Sequence, residues 1–301
     1  MWMNNAYVSG YVALIGRPNT GKSTLLNHLV GQKVSITSRR PQTTRHRIIG
    51  IKTDEHAQVM YVDTPGLHKT EGGMMSRYLN RAASGSLEGV DCILLLITSN
   101  GWKDEDEQAL MHAQRQTAPV ILVINKIDKL KDPARLLPLI EQSRAKMNFA
   151  EIIPVSAQTG TGVTDLEATI LRYLPVHPPH YPPDQLSDRN DRFMAAELVR
   201  EQIFRLLGKE VPYATAVEIQ EFKQEPKLIR IEAVIWVEKD GQKAIVIGKN
   251  GERLKEIGRH ARLAMQKAFA SKVYLGLWVK VREGWSDDAR ALRSLGYGDD
   301  L

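Results

Sequence analysis

Gly16-Arg17-Pro18-Asn19-Thr20-Gly21-Lys22-Ser23 leaves the apolar run Tyr11–Ile15 and opens a helical stretch near Gly21–Val30, while Asn125-Lys126-Ile127-Asp128 leaves a second apolar run, Val120–Ile124. In the first stretch, glycines let successive backbone N–H groups approach phosphate oxygens, and the helix start behind them adds partial positive charge. Lys22 can reach the β- and γ-phosphates, and Ser23, followed by Thr24, can hold Mg²⁺. An ordinary glycine-rich turn has no need of Lys-Ser at its end. This loop leaves the choice between adenine and guanine open. Asp128 makes it: a carboxylate accepts hydrogen bonds from guanine N1–H and its 2-amino group, and an adenine there would leave a buried acceptor unpaired. Asn125 is expected to tie this loop to the phosphate loop, with Lys126 between them.

Outward from these two stretches, short apolar runs alternate with helical ones. The runs are Tyr11–Ile15, Val59–Val62, Val90–Ile97, Val120–Ile124 and Ile152–Val155, apolar enough to be buried on both faces. Arg47–Lys52 is more polar and reads as an edge strand. Helical stretches near Met74–Ser84, Asp104–Arg115, Pro133–Lys146 and Thr164–Tyr173 fall between them. The pattern predicts an α/β nucleotide-binding domain with a mainly parallel, doubly wound sheet over residues 7–174. Strand ends on such a sheet carry the ligand. Asp63-Thr64-Pro65-Gly66 stands at one of them: Asp63 can hold Mg²⁺ through water, and the Gly66 N–H can meet the γ-phosphate. Ser156-Ala157 stands at another, where the Ala157 N–H is expected near the guanine oxygen. The basic loop between Val34 and Arg47 holds Thr43 and Thr44. One of them is expected to ligate Mg²⁺ in the GTP state, Thr44 by preference, although a plain surface loop explains that composition equally well.

These elements resemble the translation-factor-type small GTPases over about residues 7–174. Gly-Arg-Pro-Asn-Thr-Gly-Lys-Ser, Gln42-Thr-Thr-Arg-His46, Asp-Thr-Pro-Gly and the tail Leu292–Leu301 resemble the Era branch of that class. Leu67 departs from Ras-like enzymes, which place a water-orienting glutamine after the glycine, so unassisted hydrolysis is expected to be slow. In related GTPases an asparagine at the place of Asn19 ligates K⁺ beside the phosphates. The resemblance thus implies K⁺ next to Mg²⁺, with Lys22, Asn19, Thr44 and Gly66 serving catalysis; that Asn19 only shapes the loop stays open.

The alternation stops at Pro175-Val-His-Pro-Pro-His-Tyr-Pro-Pro-Asp184, five prolines in ten residues, read as a semi-rigid linker over 175–190. His177 and His180 within it lack partners of metal-ligand spacing, so no zinc is assigned. From 191 the expected order is helix Arg192–Leu207, strands Ala214–Phe222 and Leu228–Val237, a short helix near Gln242–Ile247, helix Glu252–Ala270 and strand Val273–Val281. Gly248-Lys249-Asn250-Gly251 sits between the last two helices. Glycines spaced this way clamp a nucleic-acid backbone in KH domains, and the α-β-β-α-α-β order resembles the type II KH fold over 191–301. From Gln242 to Arg282 there are ten Lys/Arg against two Asp/Glu, whereas the rest of the chain holds 31 against 33, so the net +6 is local. Lys243, Lys249, Arg253, Lys255, Arg259 and Arg262 are the expected phosphate contacts. Leu254, Ile257, Ala261, Ala264 and Ala268 read as a packing stripe, and Trp278 reads as packing before base stacking.

No apolar run approaches the ~18 residues of a membrane span. The single cysteine, Cys92, excludes an internal disulfide and suits a cytoplasmic setting. The resemblance implies a monomeric GTPase, binding GTP and GDP and hydrolysing one to the other, that binds 16S ribosomal RNA and acts in processing it and building the 30S subunit. It further implies peripheral contact with the inner membrane and a link to cell-cycle control. A competing reading makes the basic segment a lipid-binding surface on a membrane GTPase switch.

Overall fold

The computed structural model describes residues 6–66, 73–85, 87–208 and 210–297, with only the backbone of Ser84. The reading of Leu67 lies outside these residues. Two compact units are present: Met1–Ser35, Thr44–Thr70 and Leu79–Asp188 form one, and Ile36–Thr43, Glu71–Tyr78 and Arg189–Leu301 form the other.

The first unit alternates strands and helices: β1 (Val8–Ile15), α1 (Lys22–Val30), β2 (Ile48–Thr53), β3 (Ala57–Asp63), α2 (Met74–Gly85, whose first turns cluster with the second unit), β4 (Cys92–Thr98), α3 (Asp104–Gln114), β5 (Val120–Asn125), α4 (Leu136–Arg144), β6 (Glu151–Pro154) and α5 (Val163–Leu171). Strand order is β2-β3-β1-β4-β5-β6, parallel throughout except for β2 against β3. Every residue of β3, β4 and β5 is buried, because helices or loops cover both faces. One layer of core joins Leu25, Leu26 and Leu29 of α1 to Leu14, Leu94 and Ile121, with Leu166 and Ile170 of α5. The opposite layer joins Ile15, Ile93 and Ile124 to Ala109 and Leu110 of α3. β2 is the expected edge strand.

The proline-rich stretch differs from a spacer. Residues 175–188 are strapped onto the first unit. Ser9 N–H donates to Pro175 O, His177 N–H to Tyr7 O, Ile51 N–H to Leu186 O and Asp188 N–H to Ile49 O, which caps the free edge of β2. Proline needs no donor partner, so a proline-rich strand can follow an edge without a full ladder. Gln58, fully buried on β3, fastens the strap: its Oε1 accepts from His180 N at 2.7 Å and Tyr181 N at 2.9 Å, and its Nε2 donates to Tyr181 O. His180 stacks on His177 and meets Ser9 Oγ through Nδ1.

In the second unit, α6 (Asp191–Leu206), β7 (Thr215–Glu225), β8 (Leu228–Val237), α7 (Asp240–Ile247), α8 (Glu252–Ala268) and β9 (Val273–Val281) follow the expected order, and a terminal helix, α9 (Ala289–Ser294), is added. The sheet runs β7-β8-β9, antiparallel then parallel. Alternate residues of β8, Ile229 to Val237, meet Leu198, Val199 and Ile203 of α6 and Ile257, Ala261 and Met265 of α8. Met265, not Ala268, completes the α8 stripe; Ala268 lies in the last turn and is exposed. Among the described residues no helix is long and apolar enough to cross a membrane.

Replacing Gln58 by Leu strips two backbone N–H groups of their acceptor and is expected to destabilise the first unit by about 2–4 kcal/mol. Urea unfolding measures the loss, and the amides of His180 and Tyr181 should lose hydrogen-exchange protection.

Candidate functional site

At the carboxyl ends of β1, β3, β4 and β5, backbone geometry brings the motif residues of the first unit together. The turn after β1 needs left-handed backbone at Gly16 (φ 147°), Asn19 (φ 64°) and Gly21 (φ 103°). A Cβ on Gly16 would lie 2.5 Å from Leu96 O, and one on Gly21 would lie 2.3 Å from Asn125 Nδ2. Asparagine tolerates the left-handed region better than other side chains. Asn19 is exposed, and its amide forms no hydrogen bond among the described residues.

Lys22 opens α1. Its ammonium donates to Gly16 O at 2.9 Å and Arg17 O at 3.2 Å, inside the curl of the loop. Burial pushes it down to about 8, against the pull of Asp63. Thr20 Oγ1 closes the same turn onto Arg17 O, and Pro18 stands against Gly66, where a Cβ would lie 2.9 Å from Pro18 N. Thr64 Oγ1 donates to Leu14 O and fixes the start of the Asp63–Gly66 segment.

Three oxygens expected to serve a metal converge. Ser23 Oγ lies 2.7 Å from Asp63 Oδ2 and 2.9 Å from Thr44 Oγ1, and Thr44 Oγ1 lies 3.4 Å from Asp63 Oδ2. Ser35 Oγ donates to the same carboxylate at 3.0 Å. Asp63 Oδ1 is buried without a hydrogen-bond partner. Burial raises the Asp63 carboxyl, with Lys22 and the three hydroxyls opposing. Such a set of hard oxygen donors fits Mg²⁺. Thr43 has another place: its hydroxyl bonds Ser38 Oγ and Arg40 O. Thr44 is therefore the threonine gathered at Ser23 and Asp63.

Asn125 braces the base loop to the phosphate loop as the sequence suggested. Nδ2 donates to Thr20 O at 2.8 Å, and Oδ1 accepts from Lys126 N at 2.7 Å and Ala157 N at 3.0 Å. The Ala157 N–H, expected near guanine, thus already has Asn125 as partner. Ser156 Oγ donates to Asp128 Oδ1 at 2.6 Å and orients that carboxylate. Lys126, in left-handed backbone, lays its stem over the phosphate loop and donates from Nζ to Asn19 O.

Sequence reading missed three supports. Arg17 points away from the loop into an ion pair with buried Asp106, Nε to Oδ1 at 3.1 Å, and into a bond with Thr98 Oγ1. Ser35 joins Asp63, and Ser99 Oγ holds Lys126 O. The acidic run Asp104-Glu-Asp-Glu reads as the start of a helix, which hides Asp106 among its neighbours.

In the second unit, α7 ends at Gly248 (φ 72°), and Asn250 (φ 51°) and Gly251 (φ 75°) turn the chain into α8. A Cβ on Gly248 would lie 2.7 Å from Arg253 Cβ, so the close turn excludes one. Lys249 and Asn250 are exposed at the tip. Lys243, Lys249, Arg253, Lys255, Arg259 and Arg262 form no ion pair among the described residues. They are not one cluster: Arg259 and Arg262 stand about 12 and 16 Å along α8 from Gly251 at 1.5 Å per residue.

Known proteins share both parts. A family described as 50S ribosome-binding GTPase matches residues 11–126, and the KH domain family matches residues 210–286. GTPase Era of Pseudomonas putida strain W619 is 52% identical over 299 residues, covering 99% of this chain and all of that one. GTPase Era of Pseudomonas fluorescens Pf-5 is 54% identical over 290 residues, covering 96% and 97%. Among solved structures, Era in complex with MgGDPNP and nucleotides 1506–1542 of 16S ribosomal RNA superposes with a TM-score of 0.93 at 41% identity, covering 97% of this chain and 99% of that one. A single-residue variant of Aquifex aeolicus Era bound to GDP·AlF4⁻ gives the same values.

Since Asn125 and Gly21 form one contact, Asn125→Ala and Gly21→Ala should each weaken guanine-nucleotide binding about 100-fold, the worth of two or three lost hydrogen bonds. In a fluorescent-GDP titration the double variant should lose less than the two single losses combined, because without the Asn125 amide only the strain of an alanine at φ 103° remains.

Proposed function

The chain belongs to the Era family of GTPases, and from that membership we propose that it hydrolyses GTP to GDP and phosphate in the first unit and binds 16S ribosomal RNA with the second, in the building of the 30S subunit. The observation that carries the nucleotide reading is the Asn125 brace, which joins a phosphate-cradling loop to a carboxylate, Asp128, already oriented by Ser156.

Gly16 to Thr24 enclose the phosphates with backbone N–H groups and the Lys22 ammonium. Asp128 accepts the two guanine donors, and Asn125, Lys126, Ser156 and Ala157 hold it in place. Ser23, Thr44 and Asp63 hold Mg²⁺, which neutralises charge on the phosphates when bound. Thr64, Pro65 and Gly66 present a backbone N–H to the γ-phosphate. Asn19, with its amide uncommitted, serves K⁺. The RNA clamp is Gly248–Gly251, where left-handed backbone and the start of α8 turn N–H groups outward. Lys249, Arg253, Lys243 and Lys255 add nearby charge, and Arg259 and Arg262 follow the RNA further along the helix. The G domain spans 7–174 with the strap 175–188 fastened to it, and the KH domain spans 191–301. The chain works as a monomer in the cytoplasm. The buried side of α8 packs on its own sheet, which favours RNA over the inner membrane as partner of the basic surface.

Asp128→Asn should move preference from GTP toward xanthosine triphosphate, with at least a 10³-fold loss for GTP. Competition between the two nucleotides measures it, and an unchanged preference rejects the guanine assignment. Phosphate release should be several-fold faster in K⁺ than in Na⁺, and Asn19→Ala should abolish the difference. Equal rates in the two salts remove the K⁺ role.

A further inference from the structure

Four tryptophans lie among the described residues, and three have fixed partners. Trp102 donates Nε1–H to Ser143 Oγ, Trp236 to Glu218 Oε2 and Trp285 to Ala214 O; Lys146, Lys280 and Tyr297 lie against their rings in the same order. Trp278 has no hydrogen bond and no ring partner among the described residues, and it is 48% exposed. An indole costs free energy to leave in water, and its N–H is usually satisfied when the ring is used for packing. Trp278 packs with only part of its ring, beside Gly276 and Val234, and leaves the rest to solvent.

Its surroundings are ordered. β9 is an edge of the sheet, and its odd-numbered residues Leu275, Leu277, Val279 and Val281 face the core. The other face carries the row Lys272, Tyr274, Gly276, Trp278, Lys280, Arg282. The ladder continues at both ends of this row, through Ile229 N–H to Lys272 O and Arg282 N–H to Val237 O. Cations and aromatic rings thus interleave on one strand, and no acid stands in the row. Tyr274 is 44% exposed, and the Arg230 guanidinium from β8 covers one side of its ring at 4.7 Å. Gly276 keeps the space between the rings low: a Cβ there would lie 2.9 Å from Trp278 Cη2 and 1.8 Å from Glu232 Oε2. The indole therefore reaches back along the strand over a glycine. Acids on this face stand on the other two strands: Glu232 opposite Gly276, its Oε2 buried without a hydrogen-bond partner among the described residues, and beyond it on β7 Glu221 and Glu218, the latter held by Trp236.

We propose that the face of β9 turned away from α6 and α8 is a second RNA site, on which Trp278 and Tyr274 stack unpaired bases of single-stranded RNA while Lys272 and Lys280 meet its phosphates, and Arg282, bonded to Ser294 Oγ of α9, marks its end. Aromatic rings on an open sheet are a general platform for unpaired bases, and flanking cations hold the backbone. The two rings stand four residues apart, about 13 Å along the strand. The site is separate from Gly248–Gly251, which lies between helices on the other face. An RNA longer than the clamp's four or so nucleotides reaches the platform around the free edge of β9. The inference rests on RNA binding by this unit.

The test uses the full chain and two labelled, unstructured A/U RNAs, a tetramer and a dodecamer, read by fluorescence anisotropy. Trp278→Ala should weaken the dodecamer about tenfold and leave the tetramer unchanged, because only the clamp holds the tetramer. Trp278→Phe should restore most of the dodecamer affinity, and Tyr274→Ala should repeat the loss. The paired change Lys249→Asp with Asn250→Asp should weaken both RNAs. If Trp278→Ala binds the dodecamer as well as the wild type while the loop variant fails, the platform is overturned and this face is left for a protein. Equal losses on tetramer and dodecamer overturn it as well, since a clamp or folding defect then accounts for them. If the loop variant binds both RNAs as the wild type does, the RNA reading of the loop fails instead.

Discussion

The side-chain amide of Asn125 holds two loops at once, and the geometry of the nucleotide site follows from that. Its nitrogen reaches Thr20 O in the phosphate loop, and its oxygen takes the N–H groups of Lys126 and Ala157. An aspartate has no donor for Thr20 O. A glutamine is one carbon longer and would push the loops apart. Gly21 lacks a Cβ where the amide passes, and Lys126 turns through left-handed backbone to follow it. The distance between the base end and the phosphate end of the site is thus set by one residue on a buried strand. Burial matters here, because the brace works in a low dielectric where its hydrogen bonds are not traded for water.

Charges are buried around that brace at a cost that packing alone does not explain. Arg17, Lys22, Asp63 and Asp106 are all nine-tenths or more buried. Desolvation raises the two carboxyl groups and lowers Lys22, so each group's charged form is disfavoured where it sits. A well-packed apolar set would stabilise such a region at least as well as these pairs do. Arg17 and Asp106 neutralise each other and anchor the loop to α3, which leaves Lys22 as the buried cation facing the inside of the loop. The polar groups are arranged for a charged ligand, and the apolar layers on both sides of the sheet carry the stability.

Much of this was legible in the sequence, for identifiable reasons. Fully apolar runs such as Ile93–Ile97 mark buried parallel strands, and glycine with Lys-Ser marks a loop whose backbone must curl. The β8 alternation from Ile229 to Val237 announced one buried face. Long-range polar contacts were not legible. Gln58 fastening the strap at His180 and Tyr181, Ser35 on Asp63, and Asp106 on Arg17 join residues 28 to 123 positions apart. No local periodicity reports such pairs. The proline-rich stretch misled because its composition suits a free spacer and an edge strap equally. The end of the α8 stripe misled because Ala268 fits the helical period but falls in the last turn, while the longer Met265 reaches the core.

The two glycine loops proposed to meet phosphates are built alike and differ in what surrounds them. Each sets three residues of positive φ ahead of a helix start: Gly16, Asn19 and Gly21 before α1, and Gly248, Asn250 and Gly251 before α8. Around the first, added Cβ atoms would strike Leu96 O and Asn125 Nδ2 from other elements of the sheet. Around the second, Gly251 faces open space, and the neighbour of Gly248 is Arg253 on the following helix. A walled loop fixes a small ligand from all sides and excludes water, so its hydrogen bonds discriminate strongly. An open loop lets a polymer pass through, and its hold depends on screened charge and on what the chain meets beyond the clamp. Affinity for a long strand must then come from additional surface. The row on β9, with two rings and three cations and no acid among them, is the surface proposed to supply it.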